Sequence, residues 1–107
     1  MALKLKKNYN DTISAWHVDI AGEVDIHTSG NLKDVLNTIL NDREADIQLN
    51  CEDLVYIDST GLGVLIGILK RVKKNDNNII IVNAKSNIAK LLNITGLDKI
   101  FVIGQNS

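Results

Sequence analysis

The segment Asp58-Ser59-Thr60-Gly61-Leu62-Gly63 is the part of this chain best placed to do chemistry. It follows the apolar run Leu54-Val55-Tyr56-Ile57 and precedes Leu62, Leu65, Ile66, Leu69 and Val72, which recur at helical spacing. A strand therefore runs into a helix, with hydroxyls at the turn. Short oxygen-bearing side chains cap the free N–H groups of a helix start, so Asp58, Ser59 and Thr60 are candidate caps. The same N–H groups and the helix dipole attract anions, so a phosphate is also at home there.

Three familiar loop chemistries fail on spacing. A dinucleotide loop needs G-x-G-x-x-G; Gly61 and Gly63 fit, but the next glycine, Gly67, comes one position late. The following strand also ends Val82-Asn83, without an acidic residue for a ribose. A P-loop needs Gly-Lys-Ser/Thr, which is absent. A nucleophile elbow needs Gly two residues before the serine, where this chain has Ile57. A serine nucleophile also needs a base, and the only histidines are His17 and His27. No zinc set at ordinary spacing can be assembled from two histidines and the single cysteine, Cys51. Cys51 closes an apolar strand pattern and reads as a small packed hydrophobe.

The elements that must position this turn follow from periodicity. Leu3 to Tyr9 and Thr12 to Ile20 alternate, with Asn10-Asp11 as a turn between them, and read as an antiparallel hairpin. Ala21 to Asp25 breaks the second pattern. Thr28 or Ser29 can cap a helix carrying Leu32, Val35, Leu36, Ile39 and Leu40. Ile47 and Leu49 begin a strand that leads through Glu52-Asp53 to Val55 and Ile57. Ile79 to Val82 is β-branched throughout, as suits a strand covered on both faces. Ser86 can cap a third helix bearing Ile88, Leu91 and Leu92, with Gly96 placed to end it. Ile100 to Ile103 is a last short apolar segment. The order β-β-α-β-α-β-α-β predicts an α/β fold: a mixed, mostly parallel sheet of four to five strands covered by helices.

Composition bounds the function. The chain has 107 residues, read as one domain over 1–107, with 45% apolar but only 4% aromatic residues, so the core is built from Ile, Leu and Val. A formal charge of −1 provides no global attraction for nucleic acid or an anionic membrane. The cluster Lys70, Arg71, Lys73 and Lys74 suits the negative end of the helix that starts near Ser59. Nucleic-acid binding would ask for a longer basic stripe and aromatic stacking platforms. Met1 to Asn10 lacks the apolar stretch of a secretory signal, and no run reaches membrane-span length, so a cytoplasmic protein is expected.

The chain resembles bacterial anti-sigma factor antagonists, the free-standing members of the STAS domain family. Gly22-Glu23-Val24-Asp25 resembles the family's Gly-Glu-aliphatic-Asp segment, Tyr56 to Gly63 its phosphorylation motif, and Leu91 to Leu97 its third-helix segment. The form Asp-Ser-Thr-Gly-Leu-Gly is most similar to antagonists of the general-stress (sigma-B) type, with sporulation antagonists similar too. Members often carry Ala-Pro where this chain has Ser29-Gly30. The resemblance implies a STAS domain whose unphosphorylated form binds an anti-sigma factor that is also a serine kinase, releasing a sigma factor. Ser59 would be phosphorylated, switching binding off, and a serine phosphatase would reverse this. Asp58, Thr60 and Gly61 would form the phosphosite loop. Glu23, Asp25, Thr28, Leu62 and Gly63 would meet the partner. The chain would be a substrate and not an enzyme, without cofactor or metal and without direct contact to nucleic acid or membrane. The alternative is a STAS-type interaction module that is never phosphorylated.

Overall fold

The computed structural model describes residues 3–104. Five strands form one sheet in the order β1-β2-β3-β4-β5: β1 (Leu3–Asn10), β2 (Ala15–Val24), β3 (Asp46–Ile57), β4 (Ile79–Val82) and β5 (Val102–Ile103). Three α-helices, α1 (Ser29–Asp42), α2 (Ser59–Lys73) and α3 (Ser86–Thr95), connect the last four strands, and a 3-10 turn spans Leu97–Lys99. Only β1 is antiparallel to its neighbour; β2, β3, β4 and β5 pair in parallel. Each helix links neighbouring strands added in one direction, and right-handed crossovers then bring all three to one face. Their inward residues, Leu32 and Leu36, Leu65 and Ile68, Ile88 and Leu92, join Val18, Leu49 and Ile81 of the sheet in one core. Each such aliphatic side chain contributes about 1.5–3 kcal/mol on burial.

The hairpin departs from its expected bounds at both ends. The Asn10 side-chain oxygen accepts hydrogen bonds from the Thr12 and Ile13 amides at 2.9 and 3.3 Å, so the turn takes up residues as far as Ser14. At its far end β2 continues through Ala21–Val24, where a break in the pattern had predicted its end. Pairing with β3 holds that stretch in the sheet, down to Val24 opposite Ile57.

β3 is one strand of 12 residues with two register shifts against β2. Its alternation runs Ile47, Leu49, Cys51 inward, then slips by one residue twice, so that Leu54 and Ile57 face the core. Glu52-Asp53 and Val55-Tyr56 are consequently exposed pairs. A bulge adds one residue and re-aims the side chains after it. Two in succession direct the last residue, Ile57, under the start of α2. β4 keeps Ile79, Ile81 and Val82 buried, with Ile80 half-buried.

Arg71 fastens α2 to α1. Its guanidinium donates to Asn37 at 2.9 Å, Asn41 at 2.8 Å and Glu44 at 2.7 Å. At the end of α3, Gly96 takes the left-handed conformation, φ 76°, as its position in the sequence predicts. Ser86 is the first residue of α3 rather than its cap; Lys85 occupies the cap position with no side-chain hydrogen bond. Ile100 and Phe101 lie outside β5, because the 3-10 turn claims the chain up to Lys99.

Candidate functional site at the start of helix α2

Asp58, not Ser59 or Thr60, caps α2. Its backbone is extended, and its Oδ1 accepts a hydrogen bond from the Gly61 amide at 2.9 Å. Its carbonyl accepts the first intrahelical bond, from Leu62 N–H at 2.9 Å. Aspartate is among the best N-caps because a short charged acceptor meets a free donor at the positive end of the dipole. Ser59 and Thr60 are thereby relieved of that duty. Both are exposed, and neither hydroxyl has a hydrogen-bond partner among the described residues.

The end of β2 lies against this turn. The Asp58 amide donates to the Val24 carbonyl at 3.0 Å, which brings the loop after β2 beside the start of α2. That loop is internally braced. Asp25 Oδ1 accepts from the His27 and Thr28 amides at 2.8 and 3.1 Å, and the Asp25 carbonyl accepts from Ser29 N–H at 2.8 Å. The Thr28 hydroxyl donates to the Glu23 carbonyl at 2.8 Å and accepts from Asp25 N–H at 2.9 Å. Thr28 stands at the N-cap position of α1, yet its side chain caps nothing because it is spent on this loop. The His27 amide, above all, holds the Asp25 carboxyl below its ordinary value of 3.8, against a smaller opposing effect of desolvation.

The glycines divide into two roles. A Cβ on Gly61 would stand 2.6 Å from Val24 Cγ1 and 2.7 Å from Ile57 Cγ1, so this glycine lets the helix start press on the ends of β2 and β3. Gly63 and Gly67 face open space. They do not seat the helix on the sheet. They line a groove of about 460 Å³ between α1 and α2, together with Lys33, Asn37, Thr60, Val64 and Ile68.

Of the expected partner-facing residues, Glu23 near the end of β2 and Asp25 and Thr28 in the braced loop are half-buried, and Gly63 is exposed. Leu62 is different: it is 7% exposed and belongs to the core. The helical turn carries it inward with Leu65 and Leu69, beneath the site. Two exposed residues escaped the sequence reading. Ile26, 70% exposed, stands on the braced loop, and Lys33 lines the groove with Thr60. An apolar residue inside a polar turn was the available signal for Ile26; for Lys33 there was none, because α1 meets α2 only in three dimensions.

No hydrogen bond joins Ser59 to either histidine among the described residues; His17 lies 3.4 Å from Asp19 on β2, and His27 sits exposed on the loop. No group of three or more His, Cys, Asp or Glu is arranged to hold a metal among the described residues. No described helix is long and apolar enough to cross a membrane.

A five-stranded sheet with one antiparallel edge, helices on the parallel crossovers and an exposed hydroxyl at the start of α2 defines a known class. Residues 6–107 match the family model described as "STAS domain", and the chain belongs to that family. Within it, the chain belongs with the anti-sigma factor antagonists. It is 35% identical over 92 residues to an anti-sigma-B factor antagonist of Staphylococcus aureus, covering 86% of this chain and 85% of that one. Among solved structures, an anti-sigma factor antagonist from Thermotoga maritima, described as putative in its own structure, superposes with a TM-score of 0.81 at 25% identity, over 96% of this chain and 86% of that chain. The fold is shared with SpoIIAA in its unphosphorylated form, TM-score 0.79 at 20% identity over 99% of this chain and 89% of that chain. The phosphorylated form of SpoIIAA from Bacillus matches with a TM-score of 0.73 at 21% identity, over 99% and 92%.

Proposed function

We propose that this chain is a partner-switching antagonist in which Ser59 is the switch. The unphosphorylated form binds an anti-sigma factor with serine kinase activity and so frees a sigma factor. The kinase passes the γ-phosphoryl of ATP to Ser59 Oγ, ADP leaves, and the serine proton goes to a base on the kinase. A serine phosphatase resets the cycle. The chain is substrate and competitor in this scheme, not an enzyme, and it works in the cytoplasm where sigma factors meet RNA polymerase.

One observation carries this reading: the Ser59 hydroxyl is exposed at the first turn of α2, released from capping by Asp58 and set beside the Glu23–Thr28 loop. The electrostatics support it. A phosphate adds about −1.5 to −2 charges at neutral pH. In the free protein the helix start compensates part of that charge, so the fold need not change. Against a closely packed partner the same charge must be desolvated or repelled, with Asp58, Asp25 and Glu23 already nearby. The switch is then local and electrostatic.

The test is mass spectrometry after incubation with an anti-sigma factor serine kinase and ATP. One phosphate is expected on Ser59 and none on Ser59→Ala, which should still bind the kinase. Phosphate on Thr60 would move the acceptor by one residue. A kinase that binds the chain but modifies neither hydroxyl would favour a STAS-type interaction module without phosphorylation.

A further inference from the structure

The basic run Lys70, Arg71, Lys73 and Lys74 is not explained by the Ser59 site. Arg71 turns onto α1, where Glu44 and two asparagines hold it. The three lysines turn the other way. With Ile66 and Leu69 they follow a three- and four-residue spacing that places them on one side of α2. Ile100, from the segment before β5, faces them across a shallow groove of about 560 Å³. Ile66, Leu69 and Ile100 supply its apolar surface, and Lys70, Lys73 and Lys74 supply its charge. None of these lysines is in a salt bridge among the described residues; Lys73 donates to the neutral Asn78 side chain at 2.6 Å.

Cations in the last turn of a helix complement its dipole, but that role needs no apolar floor beneath them. We propose that this groove docks an acidic amphipathic helix of a partner protein, at a site separate from Ser59. Such a helix lays spaced apolar side chains along a groove and offers carboxylates at its margins, matching an aliphatic floor and a lysine rim. An acyl chain would need a more enclosed cavity, and single-stranded nucleic acid would need aromatic stacking platforms that the lining lacks.

Docking here is independent of the phosphorylation state. Lys70 lies about 16 Å along the helix axis from Ser59, about twice the screening length of ~8 Å at physiological salt. A partner held in this groove would stay in place while the switch turns over.

The experiment is an NMR titration of the intact chain with a synthetic helical peptide bearing Leu at helical spacing on one face, flanked by Glu. A matched peptide with Lys for Glu, phosphatidylglycerol vesicles and a single-stranded RNA oligonucleotide are the comparison arms. Amide shifts are expected at Ile66, Leu69, Lys70, Lys73 and Ile100 with the Glu peptide. Binding should weaken about fivefold in Lys70→Glu with Lys74→Glu, weaken in Ile100→Ser, and change by less than about twofold in Ser59→Asp. Both groove variants alter surface residues, and their unperturbed spectra would verify the fold. Absent binding, equal binding of the Lys peptide, shifts away from the groove, stronger engagement of vesicles or RNA, or loss of binding in Ser59→Asp would overturn the proposal. Failure of Ser59 phosphorylation would leave these shifts untouched, so the two readings fail separately.

Discussion

The Asp58 carboxylate accepts the Gly61 amide at 2.9 Å, so the residue before the serine does the capping. Asp58→Ala should therefore destabilise the chain by about 1 kcal/mol, while Asp58→Asn, a cap of similar strength, should cost much less. Urea unfolding followed by circular dichroism measures both. Equal losses in the two variants would mean that the carboxylate acts through its charge rather than as a cap.

Gly61 and Gly63 should respond oppositely to the same change. Gly61→Ala pushes a methyl against Val24 and Ile57 and should cost about 1–3 kcal/mol. Gly63→Ala meets open space within a helix and should stabilise by about 0.5–1 kcal/mol. A shared sign would contradict the packing described for Gly61.

Ser59→Asp should keep the fold, because Ser59 is exposed and the start of a helix favours negative charge. Its affinity for the anti-sigma factor should nonetheless fall. A loss of about 2.8 kcal/mol would be a hundredfold in Kd, readable by calorimetry. Unchanged affinity would remove charge as the basis of the switch.

The loop bracing depends on ionised Asp25. Its carboxyl titrates below its ordinary 3.8, so the folded state favours the charged form. The stabilising contribution is complete above the ordinary value and is lost as pH falls through the lower folded value. The amide resonances of His27 and Thr28 should show a step below the ordinary carboxylate range. Asp25→Asn should abolish that low-pH step.

Cys51 is buried in β3, and burial pushes its thiol up to about 12. A neutral thiol without solvent access is a poor nucleophile. Alkylation by iodoacetamide at neutral pH should be slow in the folded chain and rapid in denaturant. Fast labelling of the native protein would place Cys51 at the surface.

Much of the architecture was written locally. The stripe Leu32, Leu36, Ile39 and Leu40, the β-branched run Ile79 to Val82 and the stop at Gly96 each state their own element, because periodicity and turn chemistry act within a few residues. The strand-to-helix turn at Asp58–Gly63 was legible for the same reason. The extension of β2 to Val24 was not, since a half-exposed, irregular stretch becomes strand only when β3 supplies its partner. The bulges of β3 were equally hidden: nothing in Glu52-Asp53 or Val55-Tyr56 alone says which neighbour each will face.

The site divides along the same line. The sequence by itself determined that a hydroxyl stands at the start of a helix, after an aspartate and before small residues. Only the tertiary structure decided who does what there. It committed Gly61 to packing, sent Leu62 into the core and laid the braced Asp25 loop beside Ser59. The physical reason is range. Helix and strand formation is governed by neighbours in the chain, whereas burial, close packing at a glycine and the charge around a hydroxyl are set by residues that meet only when the sheet is assembled.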